Sequence, residues 1–418
     1  MRLIFDDEIY FLKEKLNIEI TSEQAFMDRM GVKMMDFEGN WHTIFRIRAK
    51  DMKLTLVKDN SDKLKDIEFM HWEDIIEKNK DRLLKLESDS LEIIRTEMDK
   101  FKGFNYTVPV SGGKDSAIVH TLVNAITSEF NTVFSNTSNE THHTYKYINR
   151  YYPNAKTVSP SEGFYPFVER TGFVPTRFGR ACCTVQKEMP MIEQLDKDEK
   201  IVFFMGMRKA ESQSRSEYST YWKNHRWGKR EWQGVLPILE WGDLDVLLYM
   251  LFREIPFNPL YTMGFGRVGC TNCCFRSDYE LILNENFLKM YHDRWQLILE
   301  KDFVKNKKAS ILNCDIEEYK NGAWKAGTVR DEATEEIIIE FAEQQGLDLD
   351  VARRYFDKRC SCCDKKLKAL DIALSMKFYG RKIESFKCIK DISKDLSVPV
   401  KELKLRAKEF KEGGCDLF

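Results

Sequence analysis

The sequence predicts an α/β protein built on a doubly wound parallel sheet, with an α+β module before it and a small cysteine-containing module after it. Three observations carry that reading. Between Phe104 and Phe275, short β-rich runs alternate with helix-forming segments: Val108-Pro109-Val110, Thr132-Val133-Phe134 and Ile201-Val202-Phe203-Phe204 each lead into a polar or glycine-bearing loop. The first run passes through Ser111-Gly112-Gly113-Lys114-Asp115-Ser116 into the apolar stretch Ala117-Ile118-Val119-His120-Thr121-Leu122-Val123, a strand–loop–helix unit. The length, 418 residues, exceeds one typical core.

The chain accordingly divides into an N-terminal α+β and helical module (1–100), the sheet domain (101–280), a helical extension (281–355) and a cysteine-rich, metal-stapled module (356–418). In the first module, Arg46 to Val57 partly alternates and predicts strands. From His71 to about Lys102, Ile75, Ile76, Leu83, Leu84, Leu86, Leu91, Ile93 and Ile94 recur near helical spacing, predicting a helix that leads into the sheet. Residues 280–355 read as mostly helical.

The Ser111–Gly113 turn suits a phosphate chain. Glycine bends without a Cβ clash, so backbone N–H groups can converge on an anion. The following helix adds the positive end of its dipole, and Lys114 adds a full charge. This is not a Walker A loop, in which Ser or Thr follows the lysine, because here Asp115 does. In an open parallel sheet, ligands sit beyond the carboxyl ends of the strands. The expected site therefore lies among the loops Ser111–Ser116, Ser135–Glu140 and Met205–Arg208.

Basic and acidic side chains nearly cancel, 66 against 67, so no global field recruits nucleic acid or a membrane surface. No apolar run approaches the roughly 20 residues that span a bilayer, and the first residues turn acidic too soon for a signal peptide. The expectation is a cytoplasmic protein with no membrane partner. In that compartment, eleven cysteines read as metal ligands or reactive thiols rather than disulfides.

Ser-Gly-Gly-Lys-Asp-Ser resembles the PP-loop of the ATP pyrophosphatases, a superfamily that includes the adenylyl-sulfate and phosphoadenylyl-sulfate reductases. Further motifs from 105 to 275 resemble the reductase family in order. Arg180 and Lys187 flank the adjacent pair Cys182-Cys183, and Gly206-x-Arg208-x-x-Glu211-Ser212-x-x-Arg215 follows. Then come Pro237-Ile238-x-x-Trp241, Asn258-Pro259-Leu260-Tyr261 and Gly264-x-x-Arg267-x-Gly269-Cys270. The resemblance implies an adenine nucleotide α-hydrolase-like fold and binding of ATP or an adenylyl sulfate, with magnesium. The nucleotide would be held by Ser111, Gly112, Gly113, Lys114, Asp115, Ser116, Asn136, Thr137, Gly206 and Arg208. Lys114, Asp115, Arg208 and Arg215 would act in catalysis, the arginines as forks for sulfate and phosphate.

Cys182, Cys183, Cys270 and Cys273 resemble the four ligands of the adenylyl-sulfate reductase [4Fe–4S] cluster. The same inventory suits zinc, or unmetallated buried thiols, and Cys274 is a spare ligand. The C-terminal set, Cys360, Cys363 and Cys388, suits a structural zinc that Asp391 or Cys415 would close.

The family's mobile Glu-Cys-Gly-Leu-His tail is absent, and Cys415, in Gly-Gly-Cys-Asp-Leu-Phe, is the loose counterpart of its nucleophile. The expected function is adenylation-linked sulfur transfer. The alternatives are a sulfite-releasing reductase using a thioredoxin-like donor, a nucleic-acid thiolation or DNA phosphorothioation factor, and a non-catalytic nucleotide-sensing iron–sulfur protein. Tyr218 to Trp232 interleaves aromatic and basic residues, which suits either a substrate lid or a surface that stacks bases. His142 and His143 read as solvated loop residues.

Overall fold

The computed structural model describes residues 1–418 except 178, 196–198, 212–214, 225–226, 229, 307, 309–311, 313, 326–359, 364, 366, 381–384 and 413–418. Two compact units emerge. The first comprises Met1–Ser161, Gln186–Thr271 and Arg276–His292; the second comprises Glu162–Val185, Asn272–Phe275 and Asp293–Phe418.

The first unit opens with a five-stranded antiparallel sheet: β1 (Arg2–Leu3), β2 (Phe26–Asp28), β3 (Gly31–Met35), β4 (Trp41–Lys50) and β5 (Lys53–Asp59), in chain order. The segment expected to form strands is the β4–β5 hairpin. Asp51 and Met52 turn it with φ of 50° and 56°, the left-handed pair that matches strand twist in a two-residue loop. The expected helix runs from Trp72 to Lys100. Arg82 on it makes a bidentate pair with Asp245 at 2.8 and 3.0 Å. Buried Ser90 donates to the Pro237 carbonyl at 2.9 Å and accepts from Trp241 Nε1 at 3.1 Å.

That helix leads into a six-stranded sheet of β6 (Asn105–Val110), β7 (Asn131–Ser135), β8 (Lys156–Val158), β9 (Ile201–Phe204), β10 (Tyr221–Trp222) and β11 (Trp232–Val235). The sheet order is β10-β11-β9-β6-β7-β8; only β10 runs antiparallel. From β6 the chain winds outward through β7 and β8, then returns to the other side of β6 with β9. This is the doubly wound topology, with its switch point between β6 and β9. Val108, Val110, Ile118, Phe134, Val202, Val235 and Trp241 share a core with Leu3, Phe26, Met70 and Trp72. Each such aliphatic side chain contributes about 1.5–3 kcal/mol on full burial.

In the second unit, Phe164, Phe167, Phe173, Trp295, Leu299, Tyr319 and Trp324 pack around Cys274. Further along, helices Ala369–Tyr379, Ile389–Leu396 and Val400–Glu412 close around two small clusters, one with Cys360, Leu367, Ile372 and Cys388, the other with Leu374, Ile392, Leu403 and Ala407. Among the described residues, no helix is long and apolar enough to cross a membrane.

His120, on the helix after β6, is wedged against Phe130 and Tyr152 with ring centroids 5.1 and 4.7 Å away, and its Nε2 lies 3.2 Å from Thr132 Oγ1. Burial pulls its pKa down to about 4. The unfolded chain then takes up a proton first, near pH 6.5. His120 therefore contributes stability above that value and loses it as pH falls toward 4, an effect on the order of 1–3 kcal/mol. Thermal unfolding of the wild type should show this extra acid sensitivity, and His120→Phe should lack it. Parallel curves for the two proteins would place the titration elsewhere.

Candidate functional site

The two loops that flank the switch point are Ser111–Gly113, after β6, and Met205–Arg208, after β9. Gly113 precedes the first residue of the Lys114–Asn124 helix. Gly112 has φ of +74°, and a Cβ there would stand 3.1 Å from both Asn258 Nδ2 and Thr144 Cγ2. Gly206 makes the closest approach: a Cβ on it would meet the Asp115 carbonyl carbon and oxygen at 2.6 Å. Glycine at 206 thus lets the β9 loop rest on the first turn of the Lys114 helix.

Side chains fix this turn. Ser116 Oγ donates to the Gly113 carbonyl at 2.9 Å and lies 3.2 Å from the Ser111 amide, which donates to it. Tyr261 OH accepts from the Lys114 amide at 3.0 Å. Buried Asn258 caps the short Pro259–Thr262 helix through Leu260 N and reaches Thr144 Oγ1 at 3.4 Å. Helix geometry leaves the Asp115 and Ser116 amides without intrahelical partners.

The charges form one network. Lys114 Nζ lies 2.9 Å from Asp115 Oδ2, and Arg208 Nε lies 2.6 Å from Asp115 Oδ1. Burial alone would raise the Asp115 carboxyl, but Lys114 and Arg208 outweigh it and hold it below the usual carboxylate range. Burial also opposes the charge on Lys114, which Tyr261 and Asp115 more than restore. The sequence assigns Arg208 to an anion. The structure commits its guanidinium to Asp115, the Trp241 carbonyl at 3.1 Å and Asp243 at 3.1 Å, and leaves the side chain 1% exposed. Arg215 is more open and pairs with Glu211, whose carboxylate also accepts from the Arg208 amide.

In the loop after β7, Asn136 Oδ1 accepts from the Ser138 amide at 2.8 Å and from Tyr145 OH at 2.9 Å. Thr137 donates through its amide and its hydroxyl to buried Glu140 at 3.0 and 2.7 Å. Burial raises the Glu140 carboxyl against those two hydrogen bonds. Thr137 Oγ1 also lies 3.6 Å from Cys270 Sγ, and Arg276 holds the Cys270 carbonyl at 3.3 Å. His142 and His143 begin the helix after this loop, with ring centroids 3.9 Å apart. Sequence reasoning missed the parts played by Asn258, Tyr261, Glu140 and Asp243. The Asn-Pro-Leu-Tyr segment was the available signal, but nothing in it says which loop it supports.

The cysteines fall on different units: Cys270 in the first, and Cys182, Cys183 and Cys273 in the second. Within the second unit, Cys274 is buried, its thiol pushed up first by a hydrogen bond with Cys273, then by burial and the nearby Cys183, while Arg180 works against the shift. Cys360, Cys363 and Cys388 converge with Asp391, all four ligand atoms lying within 4.8 Å of one another, so the group could hold a metal ion. Cys415 lies outside the described residues.

The aromatic and basic segment corrects one expectation. Trp227 and Trp232 are 4% and 2% exposed and pack with Phe203 and Trp222 in a core cluster. Trp227 stacks on Phe203 with centroids 5.2 Å apart and Trp232 meets both rings edge to face, so these two buried rings cannot stack on bases.

The phosphoadenosine phosphosulfate reductase domain matches residues 105–275. An uncharacterised protein of Methanocaldococcus jannaschii is 29% identical over 66% of the chain and 65% of its own length. A second from that archaeon is 27% identical over 59% of the chain and 52% of its own length. An adenosine 5'-phosphosulfate reductase of Bacillus cereus is 27% identical over 22% of the chain and 37% of its own length. The chain thus spans less than two thirds of each of these relatives. Among solved structures, a phosphoadenylyl-sulfate reductase of Candida auris in a phosphate complex has a TM-score of 0.34 at 15% identity, covering 47% of this chain and 93% of the other. An FMN adenylyltransferase of Candida glabrata with FAD and pyrophosphate has 0.32 at 14% identity, covering 45% and 62%. Likenesses at that level say nothing about ligands. Residues 105–275 thus carry a domain of the phosphoadenosine phosphosulfate reductase family.

Proposed function

We propose that the chain is an enzyme of this family that binds ATP or an adenylyl sulfate beside Ser111–Ser116 and carries out adenylation-linked sulfur transfer. The observation that best supports this is Lys114, a cation in the first turn of a helix that follows a Ser-Gly-Gly turn at the sheet's switch point. An arriving phosphate would compete with Asp115 for the Lys114 ammonium, while Arg208 keeps Asp115 in place. In the ATP-cleaving reaction, an acceptor oxygen attacks the α-phosphorus. The bond to the bridging oxygen breaks, and pyrophosphate leaves with its electron pair, held by Lys114 and the loop amides. Magnesium, when bound, would neutralise part of that charge. A sulfur donor then displaces AMP from the adenylylated acceptor.

The four cysteines of the family pattern, Cys182, Cys183, Cys270 and Cys273, are proposed as [4Fe–4S] ligands on the strength of their order in the sequence and the thiolate chemistry of such clusters. A bound cluster would supply electrons or carry sulfur. In the competing reductase reaction, a thiolate attacks the sulfur of adenylyl sulfate and AMP leaves with the S–O electron pair; a thioredoxin-like dithiol then attacks the cysteine sulfur of the S-sulfocysteine, sulfite leaves, and the dithiol ends as a disulfide. The Ser-Gly-Gly-Lys-Asp-Ser loop, which resembles the ATP-cleaving branches of the superfamily more than the reductases, favours ATP cleavage.

One observation favours a nucleic acid as the sulfur acceptor. On the β4–β5 ribbon, Arg46 stands opposite Lys58 and Lys50 opposite Lys53, with Arg48 between, all exposed. Like charges directly opposite weaken a strand pair. Among the described residues, Lys50 pairs with Asp51 at 3.8 Å, while Arg46, Arg48, Lys53 and Lys58 pair with no carboxylate. A phosphate backbone would relieve that repulsion.

Three outcomes follow. Lys114→Ala should cost roughly 1.5–3 kcal/mol of nucleotide binding in calorimetry; unchanged affinity for both ATP and adenylyl sulfate removes the assignment. ATP should release pyrophosphate when the acceptor is present, and adenylyl sulfate with thioredoxin should release negligible sulfite. Sulfite at enzymic rates that Cys415→Ser abolishes would make the chain a reductase. For RNA anisotropy, Arg46→Ala with Arg48→Ala should reduce the slope of log affinity against log salt by roughly 1.4, if both contact single-stranded phosphates, and an unchanged slope removes the ribbon from the acceptor site.

A further inference from the structure

We propose that Cys360, Cys363, Cys388 and Asp391 bind one zinc ion that staples the C-terminal module. Cys363 Sγ and Cys388 Sγ are 3.8 Å apart, and a tetrahedral zinc with Zn–S near 2.3 Å sets a sulfur–sulfur edge of about 3.8 Å. Asp391 Oδ2 lies 3.1 Å from Cys360 Sγ and 3.0 Å from Cys388 Sγ. A ligating carboxylate would stand about 3.5 Å from each sulfur, so an ion fits with a shift of a few tenths of an ångström. Three sulfurs and an oxygen this close bracket a single ion. A four-iron cube needs its ligands spread over separate irons.

Cys360 Sγ accepts from the Cys388 amide at 3.2 Å. Amide-to-sulfur bonds of this kind orient and stabilise metal-bound thiolates. Lys394 Nζ lies 3.5 Å from Asp391 Oδ1, steadying the carboxylate. Among the described residues, Asp391 faces the three cysteine sulfurs and, at the rim, Lys394. Zinc binding takes up the four donor pairs and releases the thiol protons to solvent.

The position of the ligands explains what the ion would do. Cys360 forms an isolated parallel bridge to Phe386, Cys388 caps the Ile389–Leu396 helix, and Asp391 lies in that helix's first turn. One ion therefore ties the Cys360–Cys363 turn to the helix start. The neighbouring apolar clusters are small, and cores of that size gain most from a metal staple. Zinc suits the mixed sulfur and oxygen donors, and four protein ligands leave no open position, which marks the site as structural.

The test uses the full chain, purified anaerobically, with zinc and iron measured together. One zinc per chain is expected in the wild type, lost in Cys363→Ser and Asp391→Asn, with iron content unchanged. Cys270→Ser should do the reverse, lowering iron and leaving zinc, so the cluster assignment and the zinc assignment fail separately. Asp391→Cys should keep the zinc. After cobalt replacement it should also move the visible d–d bands toward those of a tetrathiolate site, a readout that requires folded protein. A wild type without zinc, zinc undiminished in Cys363→Ser, iron lost in that variant, or a cobalt spectrum unmoved by Asp391→Cys would each overturn the proposal.

Discussion

Asp115 holds two cations at once, Lys114 beside it in the chain and Arg208 from the far side of the switch point. The rest of the first unit's site is arranged around that contact. Arg208 is anchored by Asp243 and the Trp241 carbonyl, and Gly206 lets its loop lie against the Asp115 backbone. Removing either partner of such a buried pair leaves a stranded charge, typically a loss of 3–5 kcal/mol. The pair therefore fixes the spacing between the β6 and β9 loops before any ligand arrives. Preorganised amides and charges need no rearrangement when negative charge develops on a phosphate.

A second buried network supports the segment before Cys270. Glu8 is fully buried with Arg2 and Tyr279, and Gly264, at φ of +95°, passes so close that a Cβ would meet the Glu8 carboxyl carbon at 2.6 Å. Arg276, 2% exposed, pairs with Glu280 and holds the carbonyls of Arg267, Gly269 and Cys270. The antiparallel sheet is thus more than an appendage. Arg2 on its first strand and Glu8 on the helix Asp6–Leu16 that follows shape the turn before the Gly-Cys segment, and Tyr261 links that turn, through the Gly264 amide on its carbonyl, to the Lys114 amide on its hydroxyl.

Much of the fold was legible because it depends on local patterns. β9 spans the expected Ile201–Phe204, and the helix expected from His71 begins at Trp72. The glycine turn before Lys114 was equally plain. What escaped depends on contacts distant in sequence. Arg208 looks like a free fork until Asp243 and Trp241 are brought beside it. Tyr261 supports a loop 147 positions earlier, which no periodicity can announce. The tryptophans of the 218–232 segment alternate with charges as a stacking surface would, yet Trp227 and Trp232 pack on Phe203 and Trp222 packs on Trp227. Asp391 was legible as a possible fourth ligand because a helix start places it three residues beyond Cys388.

Hydrogen exchange in the presence and absence of magnesium–ATP tests the central claim most directly, since the bound phosphates should take amides that solvent otherwise reaches. The account predicts new protection concentrated in Gly112 to Ser116 and, more weakly, in the Ser135–Glu140 and Met205–Arg208 loops. Binding accompanied by protection elsewhere, with the Gly112–Ser116 amides exchanging as freely as before, would contradict it.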